Sequence, residues 1–347
     1  MERFLTKELN FDPNGKELVL AYSGGADSKA LFFIMLALSS RLGFALSVAH
    51  LDHGLRADSS LDMAGAREMA AEYGLVSYGK QVDVGALSME LKIGKEEAGR
   101  RARRQFFAEL IEKAETFQNA NAAECELNSA DALRCRERWV VTAHQLNDLA
   151  EDSLMRLIRG GGWPALAGMR ALDEENHLVR PLLLTDRATV EEFLELIGQD
   201  WIRDPMNDDQ SFLRNRIRCN VLPLFVQENP SFLESMADLW KLARLDEDMF
   251  GEQLENAAEE FFPAGQNFAD APQSLEIPAG MLECHKAMRL RVFKKALESI
   301  GPGQPILRNL LALDAAWQSG NNGAVIQFPG NKRAQVMQGK VVFSLGE

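Results

Sequence analysis

Residues 23–28 read Ser-Gly-Gly-Ala-Asp-Ser, directly after the apolar run 18–22 and before the apolar-rich stretch 30–38. A strand that breaks into a glycine turn and re-enters a helix makes an anion site. Glycine lets the backbone approach a phosphate, and the first free helix N–H groups point at it. Gly24, Gly25 and Ala26 supply that backbone, and Ser23 and Ser28 add hydroxyls. Asp27 is the odd member, because a carboxylate repels phosphates unless a cation lies between them. It is either a Mg²⁺ ligand or a helix cap. The loop has neither the Gly-Lys-Ser/Thr of kinase-type phosphate loops nor the Gly-x-Gly-x-x-Gly of dinucleotide binders.

Three further groups carry chemistry. The first is His50-Leu51-Asp52-His53-Gly54-Leu55-Arg56. Its two histidines lack an obvious third metal ligand nearby. The rim of a nucleotide pocket suits it better, with Gly54 turning the chain and Arg56 reaching a phosphate; a plain surface turn is the bland alternative. The second runs from Thr142 through His144 to Asp152, with Asp148, Glu151 and Asp152 opening a helix. Capping suffices to explain these carboxylates. Alternatively Asp148 and Glu151, three apart on one face, hold a metal or a cationic substrate amine. The third pairs the turn chemistry of Asp204-Pro205 and Asn207-Asp208 with Arg214, Arg216 and Arg218, whose alternate spacing faces two sides of a helix.

The elements that must position these groups alternate. Strands are expected at 17–22, 45–51, 76–82 and 139–142, and helices at 27–41, 59–73, 95–113 and 147–159. This order predicts an α/β fold with a doubly wound, mostly parallel sheet and ligands at the carboxyl ends of its strands. A last strand is expected at 178–184. Residues 117–138, rich in Asn, Ala and Glu, read as an inserted loop, and 263–278 as a linker. The domain expectation is a catalytic region over 1–220, a helical domain over 221–270 and a small α+β module over 276–347.

Composition narrows the class. The 347 residues are 46% apolar and 26% charged, as in a globular protein, and no uncharged apolar run spans a bilayer. The net charge of −13 argues against broad affinity for nucleic acid. Basic clusters, including Arg100, Arg101, Arg103 and Arg104, leave room for a local polyanion surface. Four cysteines (125, 135, 219 and 284) form no Cys-x-x-Cys pair, which fits a reducing cytoplasm.

Taken together and in this order, these motifs resemble the tRNA(Ile)-lysidine synthases within the N-type ATP pyrophosphatases, which share the Ser-Gly-Gly-x-Asp-Ser loop. The narrower likeness rests on His53-Gly54-Leu55-Arg56, on residues 97–103, on Thr142-Ala143-His144, on 159–162 with 166–169, on Arg180-Pro181-Leu182-Leu183 and on 204–218. It covers about residues 16–225. The resemblance implies adenylation of the C2 oxygen of an anticodon cytidine in tRNA(Ile) bearing a CAU anticodon, followed by attack of free lysine. It implies ATP and Mg²⁺, with Ser23–Ser28, His53 and Arg56 on the nucleotide and Asp27 on the metal. It also implies Asp148 and Glu151 on the lysine, Arg100, Arg103 and His144 on substrate, and a homodimer. The chain departs from the family pattern at Gln145 (usually histidine), Asn147 (aspartate), Leu149 (glutamine), Asp152 (threonine), Arg104 (tyrosine) and Met206 (serine), and Gly99 replaces an alanine. A thiolation enzyme of the same superfamily, or a noncatalytic ATP- and RNA-binding relative, is the alternative.

Overall fold

The computed structural model describes residues 1–54, 59–120, 136–202, 210–262, 268 and 274–346. The chain forms two compact units, Met1–Ala243 and Arg244–Glu347.

The first unit is built on a six-stranded sheet. Its strands are β1 (Glu17–Ala21), β2 (Ala45–Asp52), β3 (Val76–Gln81), β4 (Arg138–Val141), β5 (Leu172–Asp173) and β6 (Leu178–Val179). They lie in the order β3-β2-β1-β4-β6-β5, and only the short β5 runs antiparallel. Both faces of the sheet are covered, so β1 reads as a continuous apolar run rather than an alternation. Leu18 and Leu20 face the cluster of Leu31, Phe32 and Met35 from helix α1 (Ala26–Leu42) and of Ala66 and Ala70 from α2 (Ser59–Glu72). Val19, between them, turns to the other face and meets Phe106 and Leu110 of α4 (Lys95–Ala120). The short α3 (Val84–Leu91) precedes α4.

Because β2 and β4 flank β1, the strand order reverses at β1, and the crevice there opens at the carboxyl ends of the strands. The helices that follow β4 frame it. They are α5 (Leu146–Ile158), α6 (Arg187–Leu196), the single turn α7 (Leu213–Arg216), the π-turn Ile217–Val221 and α8 (Leu222–Glu228). Helix α9 (Phe232–Phe261) places Trp240 against Leu146 and Leu149 of α5 in a buried cluster.

The second unit carries an antiparallel sheet ordered β7-β10-β9-β8, with β7 (Ser274–Ile277), β8 (Val325–Phe328), β9 (Lys332–Met337) and β10 (Lys340–Leu345). Helices α10 (Lys286–Ile300) and α11 (Leu307–Gln318) pack Phe293 and Trp317 against Phe343 of this sheet. The buried Lys332 ammonium donates to the carbonyls of Leu297, Gly301 and Gly303 at the end of α10, satisfying acceptors the helix leaves free.

Three expected elements differ. The strand expected at 178–184 ends at Val179, because Pro181 cannot donate to a ladder; Arg180–Leu183 is a turn closed by the Leu183 amide on the Arg180 carbonyl. The linker expected at 263–278 contains β7 over its last residues, with Leu275 and Ile277 buried and paired to β10. The insertion expected from 117 begins later, since α4 runs to Ala120; residues 121–135 lie outside the described residues.

Candidate active site

The glycine loop joins β1 to α1 at the reversal point. Gly24 has φ +82°, a conformation L side chains rarely adopt, and a Cβ there would lie 3.3 Å from Ile202 Cδ1. Gly25 caps α1 with extended backbone, leaving the first N–H groups of the helix directed into the crevice. The Ser23 amide donates to Ser28 Oγ at 3.2 Å, and Ser28 Oγ donates to the Gly25 carbonyl at 3.0 Å. Ser28 is therefore buried and shapes the turn, while Ser23 keeps its hydroxyl nearer the opening. Residues 200–202 lean on the loop through Lys29 Nζ to the Asp200 carbonyl (2.6 Å) and the Ile202 amide to the Gly24 carbonyl (3.2 Å).

Asp27 lies in the first turn of α1 and does not cap it. Its Oδ2 is 3.8 Å from Arg187 Nη2, and its Oδ1 is buried with no hydrogen-bond partner. Burial, and secondarily the Asp148 charge, push its carboxyl up to about 6, against the opposing pull of Arg187 and Arg218. An under-compensated carboxylate beside a phosphate cradle suits a hard cation. Magnesium is held by one or two carboxylates plus substrate phosphates rather than by an all-protein cage. No group of three or more His, Cys, Asp or Glu side chains placed to hold a metal exists among the described residues.

After β2, His50 and His53 separate in role. His50 Nδ1 bonds the Tyr22 carbonyl at 2.8 Å and ties β2 to the start of the loop. His53 Nε2 accepts from Arg103 Nη2 at 3.4 Å, which puts the ring proton on Nδ1, buried and without a partner. Burial and the neighbouring Arg103 lower its pKa to about 4, so the ring is neutral near pH 7. Arg103 and Arg100 both lie on α4 and are exposed to solvent. Arg56 lies outside the described residues, as do Asp204 and Met206.

After β4, Thr142 Oγ1 and His144 Nδ1 are 2.9 Å apart. Burial lowers the His144 pKa to about 3, with Arg180, Arg214 and Arg103 adding to the effect against the pull of Asp148. It is thus a neutral hydrogen-bonding group rather than a proton carrier near neutral pH. Gln145 caps α5: its Oε1 accepts the Asn147 amide at 2.6 Å, while its own amide donates to Asp148 Oδ2 at 3.1 Å. Asn147 Oδ1 in turn accepts the Arg187 amide at 3.1 Å, fixing the start of α6 and hence Arg187 beside Asp27. Of these two departures from the family pattern, Gln145 caps α5, and Asn147 ties α5 to the first amide of α6, whose own cap is Asp186. Leu149 is fully buried in the α5–α9 cluster, and Asp152 pairs with Arg156 at 2.8 Å.

Asp148 and Glu151 do lie on one face of α5, and both are buried. They are held by two arginines. Arg214 donates to Asp148 Oδ1 and Glu151 Oε2, each at 2.8 Å. Arg218 donates to Glu151 Oε1 at 2.6 Å, to Glu151 Oε2 at 3.0 Å and to Asp148 Oδ1 at 3.2 Å. Arg214 holds Asp148 below the ordinary carboxylate range although burial opposes it. Arg216 turns away, donating to the Gln210 and Ser211 carbonyls. The i, i+4 spacing of Arg214 and Arg218 is the signal that would have placed them on one carboxylate pair. Arg187 carried no comparable signal, and Arg180 entered only through the Arg180-Pro181-Leu182-Leu183 likeness. An open cavity of about 470 Å³ adjoins this cluster, lined in part by Asn147, Glu151, Arg187, Arg218, Leu222 and Val226.

Residues 2–127 and 119–225 match the family model of the PP-loop domain. The tRNA(Ile)-lysidine synthase of Nitratidesulfovibrio vulgaris is 41% identical over 340 residues, covering 94% of this chain and 92% of that protein. The enzymes of the same name from Petrotoga mobilis and Geobacter sulfurreducens are 31% and 37% identical. Those matches cover 65% and 70% of this chain but only 65% and 47% of the relatives. Among solved structures, the U34-tRNA thiolase NcsA of Methanococcus maripaludis superposes with a TM-score of 0.52 at 16% identity, over 70% of this chain and 77% of that one, a likeness of fold. A phosphate-shaped glycine loop at the sheet's reversal point and a near full-length relative agree: this chain belongs to the tRNA(Ile)-lysidine synthase family of ATP-using PP-loop ligases.

Proposed function

We propose that the protein joins free lysine to C2 of the wobble cytidine of a tRNA(Ile) with a CAU anticodon, using ATP and Mg²⁺ in the cytoplasm. In the first step the C2 oxygen of the base attacks the α-phosphorus of ATP and pyrophosphate leaves. In the second, the lysine ε-amine attacks C2, the C2–O bond breaks, and AMP departs with the oxygen. The observation that carries this reading is geometric. Arg187, whose guanidinium lies 3.8 Å from Asp27 at the glycine loop, lines the same open cavity as Glu151, which supports reading the loop and the acidic pair as parts of one site.

Each group has a task. The loop at Ser23, Gly24, Gly25 and Ala26 binds the departing pyrophosphate through backbone N–H groups, where negative charge grows in the transition state. Ser28 keeps that loop in shape. When bound, Mg²⁺ supplies charge neutralisation at the phosphates, and Asp27 Oδ1 is the oxygen free to hold it. The neutral His53 offers its Nδ1–H to nucleotide, and the family resemblance assigns Arg56 to a phosphate. Arg100 and Arg103, exposed on α4, meet the RNA, and His144 serves as a neutral hydrogen-bonding group for substrate. An ordinary lysine ammonium titrates near ~10.4, so it is bound as a cation and must lose a proton before attacking. Asp148 and Glu151 hold it, with Leu222 and Val226 of the adjoining cavity against its aliphatic stem. A homodimer completes the proposal.

The test is incubation with labelled lysine, ATP, Mg²⁺ and a tRNA(Ile) transcript bearing CAU. Lysine incorporated in proportion to AMP released is the expected result. Sulfur transfer, or RNA binding without turnover, would sink the reading.

A further inference from the structure

The lysine-binding role of Asp148 and Glu151 requires a cation between them, and the protein already supplies two. Arg214 and Arg218 place five hydrogen bonds on these carboxylates, and the Gln145 amide adds a sixth. Two carboxylates and two guanidiniums are electrically balanced. A third cation brought to the same oxygens would meet like charge at contact distance in a poorly hydrated site.

Exposure shows which partner can give way. The Glu151 side chain is 1% exposed, whereas those of Arg218 and Arg214 are 20% and 27% exposed. The arginines are therefore the more exposed partners, and Arg218 lines the open cavity beside Glu151, so a cation entering from that cavity meets this guanidinium at the carboxylate. Their backbone stays anchored, because Ile217 between them is buried against Ala150, Leu154 and Met155 of α5. Movement is thus a matter of side-chain rotation from the Leu213–Arg216 turn and the π-turn that follows. Such a widened turn often marks a functional position. Arg218 lines the open cavity together with Arg187, whose guanidinium lies 3.8 Å from Asp27 at the glycine loop, so a released guanidinium can turn toward the side on which ATP would bind.

We propose that Arg214 and Arg218 stand in for the lysine ammonium in the substrate-free enzyme, and that lysine enters the amine site by displacing at least one of them from Asp148 and Glu151. This rests on the reading that the acidic pair holds lysine. Both arginines are then positioning residues that set lysine affinity. They keep a buried carboxylate pair compensated until the substrate arrives, at a cost in apparent affinity equal to the fraction of sites they close.

The experiment measures L-lysine binding to the full chain by equilibrium dialysis, for wild type, Arg218→Gln, Arg218→Lys and Glu151→Gln. Removing one competitor should tighten lysine binding about tenfold in Arg218→Gln, while Arg218→Lys, which retains a cation, stays near wild type. Lysine should also raise the melting temperature of Arg218→Gln more than that of wild type, a readout that a merely structural arginine would not move. In wild-type protein, lysine should shift the guanidinium Nε–H resonances of Arg214 or Arg218, which decides the matter even if a variant fails to fold. The proposal is overturned if those resonances are unmoved at saturating lysine. It is also overturned if Arg218→Gln binds lysine no more tightly while Glu151→Gln loses binding. If Glu151→Gln binds lysine like wild type, the acidic pair is not the lysine site, and the underlying reading falls with the proposal.

Discussion

The two ends of the central sheet handle buried polarity in opposite ways. Toward the amino ends, Glu17 Oε1 accepts from Ser47 (2.7 Å) and Tyr78 (3.0 Å), and its Oε2 accepts from Arg138 (2.8 Å). Arg138 also donates to the Tyr78 hydroxyl and to the Leu110 carbonyl, so the network ties β1 to β4, β2, β3 and α4. At the carboxyl ends, Asp27 Oδ1, His53 Nδ1, Gln145 Nε2 and Arg180 Nε are buried without partners. His177 Nδ1 is an exception at the amino end, where the ring stacks on Trp139 at 4.9 Å. A satisfied buried network fixes strands in place, whereas unsatisfied groups raise the energy of the empty site and lower it when a ligand pairs with them. One end of the sheet is finished by the fold; at the other, the Asp148–Glu151 pair is satisfied by Arg214 and Arg218, but Asp27, His53, Gln145 and Arg180 each keep a buried polar atom open.

The largest effect that tests this contrast is at Asp27. Asp27→Asn should abolish pyrophosphate release, measured with ATP and tRNA transcript, by at least about a thousandfold if this carboxylate carries the metal. The same variant should be more stable. The folded-state pKa of about 6 lies above the ordinary 3.8, so ionisation opposes folding. Stability is full at low pH and falls as pH rises from about 4 through about 6. Removing the charge should therefore add on the order of 2 kcal/mol at pH 7 by denaturant unfolding. A variant that is both inactive and less stable would mean that Asp27 is part of the scaffold.

Arg138 provides the converse case. Arg138→Met leaves the buried Glu17 carboxylate uncompensated and should cost about 3–5 kcal/mol in urea unfolding. The protein that remains folded should keep its KM for ATP, because the network lies at the end of the sheet remote from the loop. A selective rise in that KM would blur the distinction between the two ends. A milder effect concerns pH. With Asp27 titrating at about 6 in the free enzyme, kcat/KM for ATP should fall roughly tenfold per unit below that value. Raising Mg²⁺ should move this limb to lower pH, since the metal favours the ionised carboxylate. An acid limb insensitive to Mg²⁺ would assign it to another group.

Much of this arrangement was legible in the sequence because it is local. The strand-glycine-helix signature at 23–28 and the alternation of elements depend on neighbours along the chain, and they led directly to β1, α1 and the reversal point. Asp148 and Glu151 were legible as one helix face. Their partners were not, because Arg214 and Arg218 lie more than 60 positions away, and the alternate spacing drew attention to two faces rather than to an i, i+4 pair. The network at Glu17 was invisible for the same reason: Glu17, Ser47, Tyr78 and Arg138 meet only through sheet register. Gln145 and Asn147 depart from the family pattern, yet the first caps α5 and the second holds the start of α6, which only the paths of α5 and α6 reveal.

The smallest expected effect comes from Gly99, where the family carries alanine. The residue lies inside α4, and a Cβ there would meet His53 Cε1 and Nδ1 at 3.7 Å and Val84 Cγ1 at 3.8 Å, ordinary contact distances. Gly99→Ala therefore removes backbone freedom from the unfolded chain and adds a buried methyl without strain. It should stabilise the protein by about 0.5–1 kcal/mol, seen as a rise of roughly 1–4 °C in melting temperature. The methyl lies against the unpartnered Nδ1 edge of His53, so the variant also probes whether that edge is reserved for ligand. KM for ATP should rise no more than about fivefold if the new methyl leaves the N–H open, because one buried methyl(ene) is worth about 1 kcal/mol or less. A large loss of ATP affinity together with the stability gain would show that Gly99 keeps space for the nucleotide, and would extend the unfinished end of the sheet onto α4.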